Sequence, residues 1–121
     1  LLPAPLPLKA EEIGAKNEVT PANKPAPQGL TELKTSLDRS DRTVALQALQ
    51  MALTELGDGV TLVWRRPISQ LTGRIKPVSA FRDDTGRICR TVVYSLAQGG
   101  REKEIEGVAC REEDGRWAIA G

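Results

Sequence analysis

The sequence predicts an α+β domain: one N-terminal helix packed on a small antiparallel β-meander of about five strands, stapled by a disulfide. Three observations point there. Apolar residues recur at spacings of three and four between Asp38 and Leu56, the period of one helix face. After Gly59 the period falls to two, as in strands with one buried face. Finally, the two cysteines lie symmetrically about the Gly99-Gly100 pair.

Residues 1–29 hold six of the eight prolines and no stable period. This composition predicts an extended Pro-rich tether, because too little apolar surface is present to offset the entropy of ordering it. Its opening Leu-Pro run, Leu1 to Leu8, is the part able to dock on a groove or a neighbouring molecule. The folded domain is expected over 30–121. Its helix starts with Asp38 or Ser40 as cap and ends at Gly57, where a left-handed terminating residue is wanted. Ala45, Ala48, Leu49, Ala52, Leu53 and Leu56 form the stripe, with Leu46 and Met51 beside it as further core. Strands are expected at Val60–Arg66, Thr72–Arg82, Arg87–Ala97, Arg101–Arg111 and Arg116–Ala120, parted by turns too short for anything but antiparallel neighbours.

A two-residue turn at Gly99-Gly100 makes Gln98 and Arg101 the first pair, and nine steps further along both strands stand Cys89 and Cys110. The thiols then face each other. An odd step count places them at a non-hydrogen-bonded position, where Cα atoms approach to about 4.5 Å, within reach of a disulfide. The same register pairs Tyr94 with Ile105 and Val92 with Gly107 on an apolar face, and puts Glu104 and Glu106 on the other beside Ser95 and Val93. Carried through the Asp83–Gly86 turn, it sets Phe81 opposite Ile88 and Ile75 near Tyr94. Ile75, Phe81, Ile88, Val92, Tyr94 and Ile105 are therefore expected core, covered by Leu49, Leu53 and Leu56 of the helix. Bonded cysteines imply an oxidising compartment.

Composition removes several function classes. There is no histidine, hence no Ser-His-Asp or Cys-His catalysis and no His-containing zinc site. Two cysteines are too few for a Cys-only zinc cage, and no catalytic, metal or cofactor site is expected. A net charge of +1 argues against nucleic acid as partner. No apolar run approaches the roughly 18 residues of a membrane span, and an opening Leu1 rather than Met reads as a processed form or a fragment. Glu102, Glu104 and Glu106 alternate along one strand face and are read as a solvated surface rather than a glycosidase pair. Asp83-Asp84-Thr85-Gly86 and Glu112-Glu113-Asp114-Gly115 lack the spaced ligands of a calcium loop and read as turns. Arg65, Arg66, Arg74, Lys76, Arg82, Arg87, Arg90, Arg111 and Arg116 make the sheet region locally basic, with 11 Lys plus Arg against 8 Asp plus Glu from Val60 onward.

Specific residues carry a resemblance. Leu37-Asp-Arg-Ser-Asp-Arg42 enters the helix; Trp64 precedes Pro67; then follow Gly73-Arg-Ile-Lys-Pro77, Gly86-Arg-Ile-Cys-Arg90, Gly99-Gly100, Gly107-Val-Ala-Cys-Arg111 and Asp114-Gly-Arg-Trp117. Over about two-thirds of its length the sequence resembles the C-terminal surface-antigen domain of the rickettsial seventeen-kilodalton antigen family. The resemblance implies an exported or lipid-anchored envelope domain, in the periplasm or at the outer membrane of a Gram-negative bacterium, with no known enzymatic activity. The lipoprotein signal cysteine and the glycine-zipper segment of those antigens are not in this sequence. Membrane association is therefore expected only through a missing N-terminal anchor.

The preferred functional expectation is a non-catalytic envelope domain that binds another envelope protein or an anionic envelope component, with Arg65, Arg66, Arg74 and Lys76 as contact residues. The alternative is a small periplasmic inhibitor of a hydrolase such as lysozyme, inserting the Arg65–Leu71 or Asp83–Gly86 loop into its cleft. An enzyme acting on glycans through the glutamates is the remaining class.

Overall fold

The structure, a computed structural model, describes residues 29–121. The expected tether lies outside the described residues, apart from Gly29. Helices α1 (Glu32–Thr35) and α2 (Arg39–Glu55) precede β1 (Leu62–Arg66), β2 (Leu71–Arg82), β3 (Ile88–Gln98), β4 (Arg101–Arg111) and β5 (Trp117–Ile119). The strands form one antiparallel sheet in sequence order, β1-β2-β3-β4-β5. This is the expected helix-on-meander.

Helix α2 begins where the Asp38 carboxylate accepts the Asp41 backbone N–H at 2.8 Å, satisfying one of the four free amides of a helix start. Ala45, Leu49, Ala52 and Leu53 are buried against the sheet. Met51, expected beside the core, is 58% exposed; two residues from both Leu49 and Leu53, it sits about 200° round the helix from each. The helix does not end on a left-handed Gly57. Leu56 is extended (φ −102°, ψ 142°), and the first residue after the helix with positive φ is Gly59. The terminal carbonyls are satisfied from the sheet: Arg90 Nη1 donates to Leu53 O at 2.7 Å and Leu56 O at 2.8 Å, and its Nη2 to Asp58 Oδ1 at 2.7 Å. Arg90, one of the cations of the basic sheet region, is only 9% exposed, a buried cap on the negative end of the helix.

The β3–β4 register is as expected, with Gln98↔Arg101, Tyr94↔Ile105, Val92↔Gly107 and Cys89↔Cys110 paired. The cysteines form a disulfide with Cα atoms 3.9 Å apart, the close approach of a non-hydrogen-bonded pair. Between β2 and β3 the register changes. Ile75 pairs with Tyr94 as expected, but the ladder shifts between Pro77 and Ser79, so Phe81 faces Cys89, and Arg82 faces Ile88. A single extra residue on one strand transfers everything beyond it to the other face. Phe81 consequently leaves the core for the disulfide side of the sheet, 44% exposed. Ile88, at the end of β3 beyond Arg90 and out of reach of the helix, is 38% exposed.

The core lies between α2 and the remaining face, with Ile75, Val92, Tyr94 and Ile105 in it as expected. Leu30 and Leu33, from the short α1 turn, are fully buried and cover the part of the sheet that α2 leaves open. The Leu30 N–H donates to Gly121 O at 2.7 Å. A Cβ on Gly107 would collide with that same carbonyl and with Leu30, so only glycine lets the ends close over β4. Tyr94 is buried, yet its hydroxyl donates to Ala45 O at 2.8 Å and accepts from Trp64 Nε1 at 2.9 Å. Burial pushes its phenol well above the ordinary range. The Trp64 indole packs against Gly73, where a side chain would collide with its ring. On edge strand β5 the Gln50 amide clamps the Trp117 backbone, accepting its N–H at 2.9 Å and donating to its carbonyl at 2.6 Å.

Candidate functional site

Alternation along the strands sorts the charged residues. On β3, Arg90, Val92, Tyr94 and Leu96 face the helices, while Cys89, Thr91, Val93 and Ser95 face the other way. No helix covers that second face among the described residues. Arg74 and Lys76 of β2 project from it, exposed, as does Arg65 of β1 on the adjacent strand. Arg66, next in sequence to Arg65, must point to the opposite side. There it meets the buried Asp41 carboxylate at 3.3 Å and the Ser40 hydroxyl at 3.4 Å. Three of the four expected contact cations thus share the open face, and the fourth is engaged by α2. Arg65, Arg74 and Lys76 make no ion pair among the described residues.

The glutamates stand on the same face, two strands away. Cross-strand rungs run Arg74–Ser95–Glu104 and Lys76–Val93–Glu106. A basic row on β2 and an acidic row on β4 therefore flank small side chains on β3. Beside Glu104 lies a shallow depression of about 190 Å³ bounded by Thr61, Arg74, Lys76, Val93 and Ser95. The disulfide and Phe81 occupy the far end of the face.

Each loop singled out above is braced by hydrogen bonds. The Arg65–Leu71 connection contains a 3₁₀ turn, Pro67–Ser69, followed by Gln70 at φ 54°. Ser69 Oγ donates to Asp41 at 2.7 Å, and Gln98 Nε2 donates to Ser69 O at 2.8 Å. Between these anchors Ile68 is 85% exposed. In the Asp83–Gly86 turn, the Asp83 carboxylate accepts the Thr85 hydroxyl at 2.7 Å and the Thr85 and Arg87 N–H groups at 2.9 and 3.0 Å. These donors, the Thr85 hydroxyl foremost, hold its pKa down to about 2. Arg87 bridges on to Glu112 at 2.9 Å. Asp83 also comes within 4.8 Å of both cysteine sulfurs, but sulfurs bonded to each other present no thiolate to a metal.

A larger cavity, about 590 Å³, opens between α2 and β5 and is lined by Leu46, Gln47, Gln50, Arg116 and Ile119 among others. Two features escaped the reading of the sequence, although each left a signal. Arg90 shares the parity of Val92 and Tyr94, which marks it as inward-facing. Pro77, within the long strand β2, signals a bulge or a local edge because proline cannot donate to a ladder; it pairs with Val92 alone, the β1 ladder having ended at Ile75.

No helix among the described residues is long and apolar enough to cross a membrane. A family model described as "17 kDa outer membrane surface antigen" matches residues 51–118. Among curated proteins, the 17 kDa surface antigen of Rickettsia bellii is 31% identical over 88 residues, 73% of this chain and 55% of the antigen. That of Rickettsia conorii is 32% identical over 83 residues, covering 69% and 52%. The Rickettsia prowazekii antigen is 30% identical over 82 residues, covering 68% and 52%. The chain thus spans about half the length of the curated relatives it matches. No solved structure matches it. The stretch matched by the family model takes in the last turn of α2, both cysteines and the whole open face, and the chain belongs to the family of 17 kDa outer membrane surface antigens.

Proposed function

We propose that this chain is a non-catalytic docking module of a Gram-negative cell envelope, in the periplasm or at the outer membrane, joined to the membrane by an anchor outside the described residues. Its partner is another envelope component, a protein or an anionic species, and it docks on the open face. One observation carries this reading: Arg65, Arg74 and Lys76 project from one side of the sheet without an ion pair among the described residues, while α1 and α2 seal the other side. Polar faces of this kind favour salt-sensitive recognition of a complementary surface over uptake of an apolar small molecule. The family, whose description is of a surface antigen, supports an envelope role without chemistry.

The test is crosslinking in the living envelope from a photoreactive residue at position 76, in the parent and in Arg74→Glu. A discrete adduct that weakens in the variant supports docking on this face. An unchanged pattern, or adducts only from a probe placed at Met51, refutes it.

The inhibitor reading rests on a different observation, the exposed Ile68 on a turn braced by Asp41 and Gln98. A preorganised apolar tip is what a cleft-filling loop needs. Inhibition of lysozyme by the purified chain, lost in Ile68→Asp, would favour it. No inhibition at saturating protein would dismiss it for that hydrolase.

A further inference from the structure

Building on the open face as the docking surface, we infer that its occupant is a second copy of this chain, paired about a two-fold axis running along β3. The face is complementary to itself in one orientation. Its basic row (Arg74, Lys76) and acidic row (Glu104, Glu106) flank Ser95 and Val93, and each basic residue shares a rung with an acidic one. Rotation by half a turn about an axis along β3 lays β2 of one copy over β4 of the other without sliding along the strands. Arg74 then meets Glu104 of the second copy, and Lys76 meets its Glu106. Each contact occurs twice, as two-fold symmetry requires. A two-fold across the strands would instead set β2 on β2 and arginine against arginine, so the charges select the axis.

Within one copy the two rows are separated by two strand spacings, about 9–10 Å, and no ion pair links them among the described residues. Among the described residues Glu104 accepts only a long bond from the Ser95 hydroxyl, at 3.4 Å, so the charges of both rows are available to a partner. The depression of about 190 Å³ is lined by Arg74 and Lys76, by Val93 and Ser95, and by the copy's own Glu104, so an incoming Glu104 carboxylate would meet two cations against one like charge. Facing sheets pack about 10 Å apart and cross at about −30°, which tilts the axis by roughly half that angle from β3 and confines the match to the central rungs. A net charge of +1 adds little long-range repulsion between copies. The footprint is a few hundred Å² per copy, below the roughly 800 Å² of tight complexes, and its ion pairs are solvent-exposed. Pairing is accordingly weak and salt-sensitive, and favoured at high local concentration.

Sedimentation equilibrium from ~0.01 to ~1 mM protein covers the range in which so small an interface associates. The parent should move from monomer toward dimer at low salt and lose about tenfold in association at ~0.5 M salt, where charges are screened within a few ångströms. Arg74→Glu alone and Glu104→Arg alone should each associate about tenfold more weakly than the parent. Their equimolar mixture should recover parental association, because each contact between positions 74 and 104 is again arginine with glutamate and the Lys76–Glu106 contacts are unchanged. Both positions are exposed, and unchanged thermal melts would exclude misfolding. A parent that stays monomeric at ~1 mM, variants that match it, or a mixture no better than its components overturns self-pairing. If the parent is monomeric while position 76 still captures a different envelope species, self-pairing is wrong and the docking reading stands. If neither is seen, both fall.

Discussion

Replacing Arg90 with methionine tests whether the end of α2 is held by the sheet. Methionine keeps most of the buried stem and removes the guanidinium, so packing changes little. What is lost is the pair of bonds to Leu53 O and Leu56 O and the contact with Asp58. The Leu53 contact is buried and the Leu56 contact partly so. An unsatisfied buried carbonyl costs about 1–3 kcal/mol; with Leu56 counted for part of that, the variant should lose roughly 2–4 kcal/mol. The Asp58 carboxylate, about half exposed, rehydrates and adds little. For a domain of this size each kcal/mol shifts the melting temperature by about 4–8 °C, so Arg90→Met should melt some 10 °C or more below the parent. Arg90→Lys should fall between them, since one ammonium cannot replace a planar fork. Urea unfolding followed by far-UV circular dichroism gives the free energies. An Arg90→Met variant within about 0.5 kcal/mol of the parent would show that the helix end is adequately served by water, refuting the argument.

Thiol titration of the unreduced, denatured chain should find no free cysteine. Reduction should destabilise the domain by about 3 kcal/mol on a chain-entropy estimate, the bridge closing a sequence separation of 21; an unchanged melt would contradict this. Leu53→Ala should cost about 2–5 kcal/mol as a core truncation, whereas Met51→Ala on the exposed side of α2 and Arg74→Glu on the open face should leave denaturation midpoints nearly unchanged. The Asp83 carboxyl, depressed from 3.8 to about 2 in the fold, contributes stability above pH 4 that is lost as pH falls toward 2. Melts across that window should show a steeper acid decline in the parent than in Asp83→Asn, and parallel curves would remove the role given to its turn. A chain shortened to residues 29–121 should retain the full cooperative transition; early melting would mean that the preceding segment packs on the domain.

The β3–β4 half was legible because a two-residue turn sets the register by counting alone, and the paired cysteines verify the count. The β2–β3 half misled because a bulge adds one residue while leaving local alternation intact, so Phe81 read as core; Ile88 kept its side of β3 and is exposed because it lies beyond the helix. Helix α1 was missed for another reason: four residues hold too little of a period to be seen, and Leu30 and Leu33 acquire meaning only from the uncovered sheet beside α2. At the candidate site the register made the side of Glu104 and Glu106 readable, whereas the sides of the β1 arginines were not. Arg65 and Arg66 look alike in composition, yet adjacent strand positions point apart, and only the placement of α2 shows which is spoken for by Asp41.

The contact between Tyr94 and Ala45 acts at a distance from the core in which it lies. Apolar stripes of alanine and leucine tolerate sliding, since a shift by one turn brings similar side chains to the sheet. A buried hydroxyl is less tolerant, because a one-turn slide would bring Asp41 or the bulkier Leu49 to the place where small Ala45 lets the phenol reach a carbonyl, and would strand its donor away from water. Tyr94 thereby indexes the helix to the sheet. Asp41, one turn before Ala45, inherits that index and passes it to Ser69 and Arg66. The height at which Ile68 stands above the surface is set in this way by a phenol in the middle of the protein, and a change at position 94 would be felt first at the loop.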